Sequence, residues 1–515
     1  MQIVERGPER RVIVKTSPIT GEVLGEFPVA TREEVEAAVA RAREAFPRWR
    51  AIPIEERIAI LSRMKEILRA KRDEFARRIS EDTGKPLVDS IMTELLVVPA
   101  FLDHYAKRAP KVLARKRVPA SPLFPGKIAY IEYFPMGVIA VISPWNFPFQ
   151  LAVVPALSAL IAGNTVVIKP SEVTPITGEL IRELFQAIGL ERGVVEVVLG
   201  DGSTGAFLTE AKVDKIFFTG SVATGRRVMA AAAKHPIPVE LELGGKDAMI
   251  VCADAPLERA ARGAAWGGLL NCGQMCTSVE RIFVEAPVYE RFLELLLEEV
   301  KKVKVGGPDE GADMGPITFP KQLETVERHV RDALEKGAKL LFGGHRIDRP
   351  GQFYAPTLLS DVRPDMAVYT EESFGPILPV IRVRDVEEAI QLANQHEYGL
   401  NASVWTRDLQ KGFAIASRLE CGQVTINDVV SSVAHPGLPF GGVKSSGFGR
   451  YHGDEGLLSF VHTRALLADR GWLKTEPFWF PYRRKYEALR DAFDAMTQGK
   501  VLNTLYHFIR MMQSG

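Results

Sequence analysis

The segment Asn271–Ser278, NCGQMCTS, sets two of the chain's four cysteines four residues apart. A thiol there can pack as a small hydrophobe, ligate a metal, form half a disulfide or act as a nucleophile. A structural zinc needs about four ligands. No histidine lies between Lys246 and Val300 to help complete such a set, so no metal is expected. Four cysteines in 515 residues, without even spacing, do not make a disulfide framework. Packing and nucleophilic chemistry remain. The neighbouring glycine and small residues, which allow close backbone approach, favour the second.

Other stretches carry groups that could work with a thiol. PWNFPF, residues 144–149, holds Asn146 between two prolines. LELGGK, residues 241–246, puts Glu242 at the end of a β-like run. FFTGSVATG offers Gly220, Ser221 and Gly225 between an apolar run and a helix start, where free N–H groups favour a phosphate. Taken singly, each has a plain reading: a turn asparagine, a glutamate paired with Lys246, an ordinary turn. No GxGxxG follows a strand. Lys444 in GGVKSSG does not complete the phosphate-loop pattern GxxxxGK[ST].

Taken together, these stretches are more specific. NCGQMCTSVER resembles the cysteine motif GQxCxxxxR of the aldehyde dehydrogenase superfamily. LELGGK resembles its glutamate motif and PWNFPF its asparagine motif. KPSE, FTGSVATG, EESFGPI and PFGGVKSSGFGR also match, in family order, over about residues 15–483. The resemblance implies an NAD(P)-dependent enzyme that oxidises an aldehyde to a carboxylic acid. Cys276 is then the nucleophile, while Cys272 is off the family position and structural. Asn146, with the backbone N–H of Cys276, would stabilise the oxyanion of a thiohemiacetal. Glu242 would activate water against the thioester. The cofactor residues implied are Ser143, Pro144, Trp145, Lys169, Glu172, Gly202, Gly220, Ser221, Gly225, Leu243, Gly244, Glu372 and Phe374. Glu172 would accept ribose hydroxyls and repel a 2′-phosphate, so NAD is expected over NADP. A cofactor-independent thiol hydrolase and a non-catalytic relative are the alternatives. The second is disfavoured by the joint presence of Cys276, Glu242 and Asn146.

These residues need elements to hold them. TREEVEAAVARAREAFPRWR begins with Thr31 three before Glu34, a capping-box pattern, and the first hundred-odd residues read as helical after a short β-like start. From Gly137 to Val251, strand candidates GVIAVI, NTVVIK, VVEVVLG, DKIFFTG and AMIVC alternate with helix candidates PITGELIRELFQAIG and ATGRRVMAAAAKH. That alternation predicts a mainly parallel sheet covered by helices. PVYERFLELLLEEVKKV and PKQLETVERHVRDALEKGAK mark a second α/β region. The expected fold is α/β and aldehyde dehydrogenase-like. A Rossmann-like cofactor domain spans 1–117 and 136–244, and an α/β catalytic domain spans 245–449. A β oligomerisation arm covers 118–135 and 450–468, and a C-terminal tail 469–515. The strand-like LLSFVHTRALLA belongs to the arm, whose edges predict a homodimer or homotetramer.

Composition narrows the classes further. The chain is 46% apolar and 25% charged with a net charge of +1, which gives no global field for nucleic acid. The N-terminus lacks a signal-like apolar core, and the cysteine usage points to a cytoplasmic protein. Residues 133–168 carry no charge, yet Pro135, Pro144, Pro148 and Pro155 break the run. It reads as buried strand, loop and helix rather than a membrane span. Apolar Phe147, Trp266, Leu270 and Met275 suggest a tunnel for the aldehyde. In the tail, Tyr486, Leu489, Phe493 and Met496, then Leu502, Leu505, Ile509 and Met512, recur at helical spacing. The expectation there is a subunit contact or an entrance cover, because Asp491 and Asp494 disfavour an anionic membrane.

Overall fold

The computed structural model describes residues 2–6, 11–119, 124, 126–472, 474–476, 478–483 and 485–513. It separates into two compact units. The larger comprises residues 1–112 and 135–460, and the smaller residues 113–134 and 461–515.

The larger unit starts with a three-stranded antiparallel sheet, Gln2–Glu5, Arg11–Thr16 and Val23–Pro28. Helices follow. The first, Arg32–Ala51, opens with the predicted capping box: the Thr31 side chain accepts from Glu34 N–H, and the Glu34 carboxylate accepts from Thr31 N–H. Its buried face, including Val35, Val39, Ala42 and Trp49, keeps helical spacing.

Two sheets position the functional groups. The first has the spatial order Gly447–Phe448, Val239–Glu242, Lys215–Thr219, Val138–Ile142, Thr165–Lys169, Val195–Val197. All its pairings are parallel except that of the short 447–448 strand. The second has the order Lys339–Phe342, Thr357–Ser360, Ile377–Val383, Val279–Glu285, Asp247–Val251, Asn401–Trp405, Gln423–Ile426. It is parallel apart from its first strand. The uncharged run resolves into the strand Val138–Ile142, a loop, the helix Gln150–Ile161 and the strand Thr165–Lys169. Every residue of that helix from Leu151 to Ile161 is buried, which is why it shows no polar face. Among the described residues no helix is long and apolar enough to cross a membrane.

Within the smaller unit, Val461–Ala468, Ile128–Pro135 and Lys116–Val118 form a three-stranded sheet in that order. The hairpin expected between 118 and 135 is present as the antiparallel pair Lys116–Val118 and Ile128–Pro135. Residues 120–123 and 125 fall outside the described set. Two expectations need correction. Residues 450–460 belong to the larger unit, not to the arm. Leu457 and Leu458 end a helix, Gly453–Leu458, so the strand starts only at Val461. The tail forms two helices, Tyr486–Thr497 and Val501–Gln513, turned at Gly499 with φ +71°.

Candidate active site

Parallel strands bring their C-terminal ends to one edge of a sheet, and ligands gather there. Ile142 lies beside Lys169 and Phe218, and Glu242 beside Thr219. Ser143, Lys169, Gly220 and Leu243 therefore share the C-terminal edge of the first sheet. After Thr219, Gly220 donates its N–H to the Glu242 carbonyl at 3.0 Å. Ser221 then caps the helix Val222–Ala232, its hydroxyl accepting from Thr224 N–H. A Cβ on Gly225 would lie 2.7 Å from Leu243 Cδ2, so glycine permits that helix to sit against the 243–244 loop.

Cys276 stands where two cavities meet. One is a cleft of about 190 Å³ lined by Pro144, Trp145, Gly220, Ser221, Glu372 and Phe374, among others. The other, about 260 Å³, is walled by Met92, Phe147, Trp266, Leu270, Met275 and Val433, among others. Glu242, Leu243 and Thr219 line both. Cys276 is partly exposed, while Cys272 is fully buried. Burial and the Asp247, Glu372 and Glu242 carboxylates push the Cys276 thiol above its ordinary range. Burial alone raises Cys272.

The loop before Cys276 is tightly specified. Asn271, Cys272 and Gly273 are all left-handed, with φ of 52°, 59° and 68°. A Cβ on Gly273 would fall 2.1 Å from the Gly375 carbonyl oxygen. Asn271 Nδ2 donates to the carbonyls of Asn146 and Gln274, at 3.0 and 3.1 Å. Asn146 Nδ2 donates to Gln274 O at 3.2 Å, so the asparagine and cysteine loops are stitched together. Behind them, buried Lys85 donates to Asn146 O at 2.9 Å and pairs with Glu94 at 2.6 Å. Glu94 in turn accepts from Phe149 and Gln150 N–H at 3.1 and 2.9 Å. Glu94 sits on a π-helical turn, Ser90–Leu95, whose Met92 and Thr93 face the larger cavity.

Glu242 is 2% exposed, and neither carboxylate oxygen has a hydrogen-bond partner among the described residues. Burial, then the neighbouring Glu240, raises it well above the carboxylate range. Lys246 does not pair with it. That lysine pairs with Glu280 and donates to Ser373 Oγ at 3.1 Å. Glu280 also accepts from Ser373 and Phe374 N–H, both at 2.8 Å, and so fixes the loop that carries Glu372. Glu372 accepts from Gly245 N–H at 3.1 Å, and burial lifts its carboxyl to about 8. A Cβ on Gly244 would lie 2.4 Å from Glu372 Oε2, and one on Gly245 would lie 2.5 Å from Cys276 O.

Of the predicted residues, Cys276, Asn146, Pro144, Trp145, Gly220, Ser221, Glu242, Leu243, Gly244, Glu372 and Phe374 line one cleft. Ser143, Lys169, Glu172, Gly202 and Gly225 do not line it. Lys169 and Glu172 pair with each other at 2.9 Å beyond the strand Thr165–Lys169. Gly202 opens the helix Gly202–Glu210, capped by Asp201. The buried hydroxyl of Thr219 has no partner among the described residues and lines the cleft. With the glycine turn and a capped helix start, these groups fit a dinucleotide. Lys85, Glu94, Asn271 and Glu280 were missed from sequence, since no local pattern marks a residue that works through others.

Comparisons with known proteins agree with this geometry. The model of the Aldehyde dehydrogenase family matches residues 4–466. A 4,4'-diapolycopene aldehyde oxidase from Methylomonas sp. is 46% identical over 484 residues, 94% of this chain and 91% of its own length. A Mycobacterium tuberculosis aldehyde dehydrogenase complexed with NAD+ superposes with a TM-score of 0.86 at 35% identity, covering 91% of this chain and 97% of that one. An NADP-dependent enzyme from E. coli gives 0.85 at 36% identity, covering 89% and 95%. The chain belongs to the aldehyde dehydrogenase family.

Proposed function

We propose that the chain oxidises an extended apolar aldehyde to its carboxylic acid with NAD, and with NADP less well. The observation that carries this is the junction at Cys276 between a cleft suited to a dinucleotide and an apolar cavity. An oxidised nicotinamide, when bound, accepts hydride. The remaining steps belong to the chain. Cys276 as thiolate adds to the aldehyde carbon, and Asn146 Nδ2 with the Cys276 N–H meets the oxygen that becomes negative. Loss of hydride from that carbon leaves a thioester. Glu242 takes a proton from water as its oxygen attacks the thioester carbon, and the C–S bond breaks to give acid and thiolate. Glu242, buried beside Cys276 in the lining of both cavities, is well disposed to do so. Pro144, Trp145, Gly220, Ser221, Leu243, Gly244, Glu372 and Phe374 would hold the dinucleotide at the cleft. Ser143, Lys169, Glu172, Gly202 and Gly225 would act along the same sheet edge, with Glu172 favouring NAD over NADP.

Several observations support the substrate class. Phe147, Trp266, Leu270 and Met275 line the larger cavity, as the tunnel reading requires. A further cavity of about 440 Å³ shares Met92, Trp266 and Leu270 with it, which gives a long chain room to continue. The Methylomonas relative, named for a diapolycopene aldehyde, points the same way. We further read the first sheet as the core of a cofactor domain and the second as that of a catalytic domain. The exposed edge strand Val461–Ala468 is the natural contact for a homodimer or homotetramer. Four free cysteines support a cytoplasmic setting. Initial rates across an n-alkanal series, with NAD and NADP side by side, test the reading. The efficiency should climb with chain length. A short acid-bearing aldehyde as the best substrate would remove the apolar assignment.

A further inference from the structure

The smaller unit differs from the rest of the chain in charge. Residues 113–134 and 461–515 contain 13 Lys and Arg against 6 Asp and Glu, whereas the whole chain is balanced at 65 against 64. The unit is therefore strongly basic and the remainder acidic.

Its two terminal helices are also packed the unexpected way round. Between them lie Ala488, Ala492, Phe508 and Met511. The larger side chains of the apolar stripes are left outside: Tyr486 is 76% exposed, Phe493 61% and Leu502 81%. The segment leading into the helices adds Trp479 and Phe480, the latter 78% exposed. A helix pair that seals itself with two alanines, Phe508 and Met511, and leaves Tyr486, Phe493 and Leu502 outward, is built to meet another apolar phase. Basic Arg483, Lys500 and Arg490 stand exposed among them.

We propose that the helix pair of this unit is a docking surface for an anionic lipid bilayer, lying on the membrane without crossing it. Trp and Tyr at the edge of an apolar face, with a basic rim, suit the headgroup region. The alternative occupant, a second copy of the same face, would bring together two surfaces of net positive charge, since residues 478–513 hold 6 Lys and Arg against 3 Asp and Glu. The expectation that Asp491 and Asp494 disfavour an anionic partner is revised. The Asp491 carboxylate lies 3.1 Å from Arg490 and 3.6 Å from Arg510, so its charge is offset at the surface, and Asp494 is outnumbered by Arg483 and Lys500.

Flotation of the full chain with phosphatidylcholine vesicles, with and without phosphatidylglycerol, tests this. The chain should float with the anionic vesicles and be released by salt. Arg483→Gln with Lys500→Gln should weaken binding about thirtyfold at low salt, as about 1 kcal/mol per basic residue implies. Phe493→Ser with Leu502→Ser should weaken it by at least about tenfold, with oxidation of a water-soluble aldehyde unchanged. Both pairs are exposed, so the fold survives the changes. Absence of flotation overturns the proposal, as does binding that neither pair affects. A fall in solution mass on Phe493→Ser with Leu502→Ser, without vesicle binding by the parent chain, would show a second copy covering the face instead. Vesicle binding is read without substrate, so its failure leaves the aldehyde reading intact.

Discussion

The two cavities that meet at Cys276 are made differently. The cleft beneath Gly220 and Gly244 is shaped by main chain: strand ends, a helix start and loops held by buried carboxylates. The larger cavity is shaped by side chains drawn from a π-helical turn, the helix Leu257–Leu269 and the segment around Val430. A main-chain site tolerates few residue types at each position, because a Cβ or a lost N–H changes it. A side-chain wall can be rebuilt by swapping one apolar group for another. In the proposed function the first therefore sets the chemistry and the second the choice of aldehyde.

The sharpest break of that contrast falls at the junction itself. Cys276→Ala should lower aldehyde oxidation by at least about 10³-fold. Cys272→Ala, four residues away but sealed from both cavities, should cost about 1 kcal/mol of stability and little activity. Equal losses in folded protein would erase the distinction between a reacting and a packing thiol. Next, Glu242→Gln should slow steady turnover by about 10²–10⁴-fold while still giving one burst of reduced cofactor. Intact-mass spectrometry should then show acyl adduct on Cys276.

Smaller effects separate the two cavities. Both Cys276 and Glu242 sit above their ordinary ranges, and in the proposed mechanism each acts ionised. Raising the pH ionises them, so kcat/KM, through Cys276 in aldehyde addition, should rise above neutrality by up to about tenfold per pH unit, and kcat, through Glu242 in deacylation, likewise. A profile falling there would contradict the buried-acid environment. On the main-chain side, Glu172→Gln removes the repulsion of a 2′-phosphate and should improve NADP use about tenfold, leaving chain-length preference alone. On the side-chain wall, Trp266→Ala should shift the best alkanal by a few carbons, about threefold in relative efficiency, and leave the NAD to NADP ratio alone. Crossed effects would mean the cavities are not independent.

The same difference explains what was readable beforehand. Asn146, Glu242 and Cys276 each sit in a stretch whose glycines and prolines fix the backbone, so the chemistry carries a local spelling. Glycine turns after strands were legible for the same reason. Lys85 and Glu94 were not, because the loop groups they hold, Asn146 O and Phe149 N–H, are 61 and 55 residues away in sequence and meet them only once the chain is folded. The strand Val239–Glu242 was legible as a β-like run ending at Glu242, whereas the π-helical turn has no periodic signature. The tail shows the opposite failure. Its helical periodicity was visible, but which stripe would face inward was decided by the fit of alanines between two helices.

The left-handed run before Cys276 has a consequence for anyone who would make this protein sturdier. Asn271 holds a conformation that glycine accepts more readily, and Asn271→Gly would relieve part of a strain worth about 1 kcal/mol or more. The same exchange deletes the amide that ties the Asn146 and Gln274 carbonyls together. Each hydrogen bond lost there is worth about 0.5–1.5 kcal/mol, so the two together offset the strain relieved. The residue that this backbone would prefer is thus not the one that holds the Asn146 loop in place, and relieving the strain gains no sturdiness.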